Sequence, residues 1–221
     1  MSLFLVPTPV GNLADMTYRA VDTLRSVDVI LCEDTRTSSV LLRHYQIEKP
    51  LTPYHQHNEH KIVPHLVDQM LAGKQFALIT DAGTPGISDP GFLLLRECTR
   101  QGVPVTCLPG ATAFVPALVQ SGLPCDSFVF EGFLPVKKGR QTAMKALLEE
   151  TRTTVFYESP HRLLKTLREF SAILGDDRKA AIVREISKKF EETRRGTLAE
   201  LCAHFEQTEP KGEFVLLIGG C

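Results

Sequence analysis

A short apolar run followed at once by a carboxylate and a cluster of glycines and prolines is the feature that most restricts how this chain can fold. In Phe76-Ala77-Leu78-Ile79-Thr80-Asp81-Ala82-Gly83-Thr84-Pro85-Gly86-Ile87-Ser88-Asp89-Pro90-Gly91, the opening residues have the continuous apolar character of a strand buried on both faces. The loop beyond lets the backbone turn tightly and approach a ligand closely. Pro90 fits the start of a helix with Asp89 as its cap, and Leu93, Leu94, Leu95 and Cys98 supply its apolar positions. The same grammar recurs. Leu3 to Val6 runs into Pro7-Thr8-Pro9-Val10-Gly11-Asn12, Val27 to Leu31 into Cys32-Glu33-Asp34-Thr35-Arg36, and Val103 to Leu108 into Pro109-Gly110-Ala111-Thr112-Ala113. Repeated strand, loop and helix units require a mostly parallel sheet with helices on its faces. In such sheets ligands bind beyond the carboxyl ends of the strands, where these loops gather.

Between these units the signals are shorter. Asp15 or Thr17 caps the first helix, Leu51 to Tyr54 is a short edge strand given Pro53, and Asn58 caps a helix that Gly73 stops. The pattern resets around Gly122 to Cys125, which divides the chain into an N-terminal α/β domain, 1–122, and a C-terminal α/β domain, 123–221. The second domain opens with a strand or connector over Phe128 to Pro135 and the basic stretch Lys137-Lys138-Gly139-Arg140, then a helix carrying Met144 and Leu147. The strand Thr153 to Tyr157 ends in Glu158-Ser159-Pro160-His161-Arg162, with Pro160 opening a helix. A strand at Lys179 to Val183, a weak hairpin over 186–196, a helix from Leu198 to Phe205 and a closing strand Phe214 to Ile218 complete it.

Bulk properties exclude several classes. With 25 basic and 26 acidic side chains the formal net charge is −1, so the chain offers no general polyanion-binding surface and any nucleic-acid contact rests on local patches. No apolar run reaches the roughly 20 residues of a membrane span, and Met1 to Val6 lacks a basic signal start, which points to a cytoplasmic protein without membrane contact. The six cysteines form no C-x-x-C pair, and most read as small core residues of a reducing compartment. Phosphate-loop, dinucleotide and serine-hydrolase signatures are missing. His55, His57 and His60 are close enough in sequence to suggest a metal, but histidines ahead of a helix are more simply exposed or hydrogen-bonded, and no metal is expected.

In order along the chain, Val6-Pro7-Thr8-Pro9-Val10-Gly11-Asn12-Leu13, Glu33-Asp34-Thr35-Arg36, His55-Gln56-His57-Asn58-Glu59, Asp81-Ala82-Gly83-Thr84-Pro85, Leu108-Pro109-Gly110, Glu131-Gly132-Phe133-Leu134-Pro135 and Phe156-Tyr157-Glu158-Ser159-Pro160-His161-Arg162-Leu163 resemble the ribosomal RNA small subunit methyltransferase I family, of the tetrapyrrole methylase-like superfamily. The resemblance covers essentially the whole chain. Members of that family commonly continue past the strand matching Phe214 to Ile218 into a small helical domain, which this sequence does not contain. The resemblance implies two α/β/α domains of the tetrapyrrole methylase type with S-adenosylmethionine in the cleft between them, a homodimer, and methyl transfer to a ribose 2′-hydroxyl of a cytidine in the decoding region of small-subunit (16S) rRNA, free or in the 30S particle. It carries the cofactor-binding role onto Val10, Asp81, Ala82, Gly83, Thr84, Ile87, Thr112, Ala113 and Tyr157.

Transfer to a hydroxyl needs close positioning and a group that takes up its proton. The candidates are Asp34, Asp81, Glu158 and His161; Asp81 also suits cofactor orientation, Glu33 and Asp34 pairing with Arg36, and Glu158 capping of the helix at Pro160. Phosphate contacts are expected from Arg36, Lys137, Lys138, Arg140 and Arg162, with Lys188 and Lys189 as further contributors. Two other readings share these loops: a methylase of a tetrapyrrole or other small metabolite, and a non-catalytic RNA- or nucleotide-binding module.

Overall fold

The computed structural model describes residues 2–221, which fall into two compact units, Met1–Thr112 and Ala113–Cys221. The first unit runs β1 (Ser2–Leu5), α1 (Tyr18–Ser26), β2 (Val29–Cys32), α2 (Thr35–His44), β3 (Leu51–Pro53), α3 (Glu59–Leu71), β4 (Gln75–Leu78), α4 (Phe92–Arg100) and β5 (Val105–Cys107). Its sheet has the order β3-β2-β4-β1-β5 with every pair parallel. Side-chain alternation along the strands explains why they are apolar throughout. Phe76 and Leu78 of β4 join Leu3, Leu31, Leu66, Met70 and Leu94 on one face, whereas Ala77 and Ile79 join Val6, Ile30, Leu24 and Leu42 on the other. β3, with its proline, takes the sheet edge as expected.

Local capping accounts for the helix starts. Thr17 accepts from the Ala20 N–H to begin α1, and Asp34 from the Arg36 N–H to begin α2. The expected cap of α4 is corrected: the helix starts at Phe92 with Gly91 at the cap position and no side-chain cap, leaving Asp89 and Pro90 in the preceding loop.

The second unit contains α5 (Phe114–Ser121), β6 (Phe128–Phe133), α6 (Arg140–Ala146), β7 (Thr153–Glu158), α7 (Pro160–Leu174), β8 (Lys179–Arg184), β9 (Glu192–Thr197), α8 (Leu198–Gln207) and β10 (Phe214–Ile218). The sheet order is β6-β7-β10-β8-β9, parallel only between β6 and β7. β10 is buried at every residue and lies in the middle of the sheet. Phe156, Phe170, Leu167, Leu201, Phe205 and Leu216 anchor the core between the sheet and its helices. Helix α5 packs on β7, β8, β9 and β10, so the second unit begins at Ala113, ahead of the sequence-predicted reset at 122/123.

Candidate active site

The loops leaving β1, β4 and β5 at the carboxyl edge of the first sheet are bound into one structure. Thr8 and Gly83 exchange both backbone hydrogen bonds at 2.9 Å, and the buried Thr8 Oγ1 donates to the Thr80 carbonyl at 2.9 Å. Thr84 Oγ1 donates to the Ala111 carbonyl at 3.0 Å. Gly110 lies so close to the β1 loop that a Cβ there would sit 2.7 Å from Pro7 Cβ. Gly83 has φ +83°, a conformation costly for any residue with a side chain, and a Cβ on it would meet only Val10 Cγ2, at 4.0 Å. Its N–H and C=O are already committed to Thr8, so Gly83 acts here as the link between loops, with Ala82 exposed beside it. Against this rim lies a cavity of about 390 Å³ bordered by Thr8, Gly11, Asn12, Thr37, Val40 and Asp81. Its size suits a nucleoside-scale ligand. A groove of about 400 Å³ between α3 and α4 is bordered by Val63, Leu93 and the Glu97–Arg100 ion pair; it lies on the helical face and holds no strand-end carboxylate.

The acidic side chains at this edge differ sharply in state. Asp34 takes the Arg36 guanidinium at 2.7 Å and the Arg36 backbone N–H at 2.8 Å, and these bonds hold its carboxyl down at about 2. Arg36 is therefore already paired. Asp81 Oδ1 accepts a long bond from the Asp34 N–H, 3.4 Å; burial, reinforced by the Asp34 charge, pushes its carboxyl up. Among the described residues Asp81 has no ion-pair partner. Glu33 is pushed up by burial and by the Asp81 charge, partly opposed by a bond from the Asp81 backbone and by His55. Asp89 is raised to about 6, first by burial and then by the Glu33 charge, against a hydrogen bond from Thr80. Glu33 and Asp89 were missed as members of this set, since one reads as an Arg36 partner and the other as a helix cap.

His55 Nδ1 is buried and makes no hydrogen bond among the described residues, while the His55 and His57 rings lie 5.9 Å apart. No group of three or more His, Cys, Asp or Glu among the described residues is arranged to hold a metal ion, and no helix there is long and apolar enough to cross a membrane.

In the second unit, two candidates are buried among hydrogen-bond partners. Glu158 is 3% exposed and accepts from Thr166 Oγ1 at 2.7 Å and from the Ser159 N–H at 2.9 Å, with Arg162 at 3.5 Å. Arg140 is 5% exposed; it donates to Glu169 at 2.8 Å, Thr166 at 2.8 Å and the Pro135 carbonyl at 3.3 Å. Neither Glu158, one of the candidate bases, nor Arg140, one of the candidate phosphate contacts, faces solvent. Arg162 donates to the Leu134 carbonyl at 2.9 Å and so also ties down the β6–α6 turn. His161 is exposed in the first turn of α7, and Lys137 and Lys138 are exposed. Lys188 is held by Glu185 at 2.9 Å and Glu213 at 2.7 Å, and Lys189 lies over the Phe190 ring. Thr112 is half-buried, Ala113 is the cap residue of α5, Ile87 is exposed, and Tyr157 is half-buried against Phe130 and Phe133.

A parallel α/β unit with a glycine-built rim and a carboxylate cluster at its strand ends is a ligand-binding scaffold of the doubly wound kind. The tetrapyrrole (corrin/porphyrin) methylase profile matches residues 2–202. Ribosomal RNA small subunit methyltransferase I of Synechocystis sp. is 49% identical over 219 residues, covering 99% of this chain and 78% of that protein. The protein of the same name from Thermotoga maritima is 46% identical over 218 residues, covering 99% and 98%. Uroporphyrin-III C-methyltransferase from Thermus thermophilus, solved with S-adenosyl homocysteine, has a TM-score of 0.66 at 19% identity, covering 99% of this chain and 97% of that one. The chain belongs to the tetrapyrrole methylase family and, within it, to the ribosomal RNA small subunit methyltransferase I family.

Proposed function

We propose that this chain uses S-adenosylmethionine to methylate small-subunit rRNA, at the ribose 2′-hydroxyl of a cytidine in the decoding region. The observation that carries the reading is identity of 44–49% across 99% of the chain with relatives of that one name. The first unit supports it. Its cavity of about 390 Å³, the open space around Gly83 and Gly86, and the exposed backbone at Ala82 fit the nucleoside end of such a cofactor. The cofactor supplies an activated methyl group on a sulfonium. Val10 and the backbone of Asp81, Ala82, Gly83 and Thr84 would hold it, with Ile87, Thr112, Ala113 and Tyr157 as the further contacts that the family resemblance implies.

A ribose hydroxyl must lose its proton as its oxygen attacks, and Asp81 takes that role. It is pushed toward a higher proton affinity and carries no cation, whereas Asp34 is neutralised by Arg36 and Glu158 is enclosed by Thr166 and Ser159. Burial and the Asp34 charge raise Asp81, and its own charge in turn raises the half-buried Glu33 and Asp89. Lys137 and Lys138 meet RNA phosphates. We further propose that the enzyme acts as a homodimer in the cytoplasm on rRNA or the 30S particle; light scattering reads out the dimer.

The test is transfer of labelled methyl groups from S-adenosylmethionine to small-subunit particles from cells lacking the activity, with a porphyrinoid as control. Label in the rRNA is expected; label in the porphyrinoid alone would replace this reading by that of a small-metabolite methylase. Asp81→Asn is expected to lower kcat by about 10²- to 10⁴-fold, the usual contribution of a positioned base, with cofactor affinity in calorimetry within a few fold of wild type.

A further inference from the structure

The edge of the second sheet carries an aromatic array, Phe128, Phe130, Phe133 and Tyr157, of which the cofactor site proposed above takes only Tyr157. β6 pairs with β7 as Phe128 with Thr153 and Phe130 with Val155; the register then shifts, so that Gly132 faces Phe156 and Phe133 faces Tyr157. Residues two apart on a strand share a face, and one extra residue inverts that parity. The bulge at Glu131 therefore brings Phe133 onto the same face as Phe128, Phe130 and Tyr157. Without it Phe133 would share the face of Phe156, which lies in the core. Phe130 is fixed between its neighbours, its ring stacked on Phe114 at 4.4 Å and edge-on to Tyr157 at 5.2 Å. Phe133 lies 5.6 Å from Tyr157 and remains 55% exposed, and Phe128 remains 38% exposed.

Just beyond Phe133 the chain turns through Leu134 and Pro135 into exposed Val136, Lys137 and Lys138. That turn is held from beneath, because Arg162 donates to the Leu134 carbonyl and Arg140 to the Pro135 carbonyl. A rigidly backed, exposed ring and two lysines thus keep a fixed relation. Single-stranded RNA presents the same pair of groups, an unstacked base and its phosphates.

We propose that Phe133, backed by Tyr157 and Phe130, is a stacking platform for one unpaired base of the RNA substrate, with Lys137 and Lys138 on the adjoining phosphates. This rests on the rRNA reading above and adds how the strand is gripped.

The experiment uses the full chain and a short single-stranded RNA carrying 2-aminopurine, whose fluorescence is quenched on stacking. Methyl transfer to small-subunit particles and cofactor calorimetry are run in parallel. Phe133→Leu keeps the apolar surface and removes the aromatic face; it is expected to weaken RNA binding about tenfold and to abolish the quench, with cofactor affinity unchanged. Phe133→Trp is expected to restore both. Lys137→Ser with Lys138→Ser is expected to weaken binding without removing the quench. Wild-type RNA affinity and quench in Phe133→Leu, in an enzyme that still methylates rRNA, would overturn the platform and leave the methyltransferase reading standing. A drop from dimer to monomer in Phe133→Leu with RNA affinity unchanged would overturn it in favour of a contact between copies. Absence of rRNA methylation by the wild-type protein would remove both proposals.

Discussion

Asp34 and Asp81 end neighbouring strands in the same way, yet their surroundings give them opposite chemistry. Asp34 bonds Arg36 and caps α2, which fixes it as an anion; Asp81 is raised by burial and by that same anion. Asp89 makes the local field measurable. Its carboxyl stands at about 6 against an ordinary 3.8, so between those values the folded protein binds this proton more tightly than the unfolded chain does. Its contribution to stability is therefore complete below about pH 4 and lost as the pH rises through about 6. Asp89→Asn is expected to raise the denaturation midpoint relative to wild type at pH 7 and to leave the difference near zero at pH 4, as urea titrations at the two values would show. No gain at pH 7 would mean that Asp89 is not held above its ordinary range. The sequence could nominate Asp34 and Asp81 because both follow a strand directly. It could not distinguish them, and it hid Asp89, because Asp-Pro ahead of apolar residues has the local grammar of a helix start while the approach of Glu33 is a long-range fact. Arg140 shows the same limit: beside Lys137 and Lys138 it reads as one basic patch, and only its partners Glu169 and Thr166 reveal a buried staple.

Among the elements, the parallel half of the fold was legible because each strand there is followed by its own loop and helix. The second sheet was less so. β10 is the last strand in sequence but sits between β7 and β8, and its unbroken apolar run reports burial without giving direction or neighbours. The bulge in β6 was hidden because Glu131-Gly132 reads as ordinary connector chemistry. Close approach between elements yields two predictions. Gly110→Ala forces a Cβ to within 2.7 Å of Pro7 Cβ and must part the β5 loop from the β1 loop. It is expected to cost about 1–3 kcal/mol in denaturant unfolding and to weaken cofactor binding in calorimetry. Arg140→Ala strips a half-buried carboxylate and a buried hydroxyl of their buried partner and frees the β6–α6 turn; a loss of about 3 kcal/mol is expected in the same assay. Unchanged stability in Arg140→Ala would instead return this side chain to the pool of phosphate ligands.

For the molecule as a whole, a net charge of −1 means that RNA cannot be held by a general field. Binding through Lys137 and Lys138 is expected to show a shallow salt dependence, a slope on the order of −1 to −2 in log affinity against log salt for a single strand. A slope several times steeper would point to a larger basic surface. Composition argued for a local grip, the loops argued for a cofactor, and kinship argued for the substrate; the three meet in one chemical product. Nucleoside analysis of small-subunit rRNA after incubation with the protein and S-adenosylmethionine tests that meeting point. The account predicts one new 2′-O-methylcytidine per particle, lost with Asp81→Asn; methylation on a base, or none in rRNA while another acceptor is methylated, would contradict it.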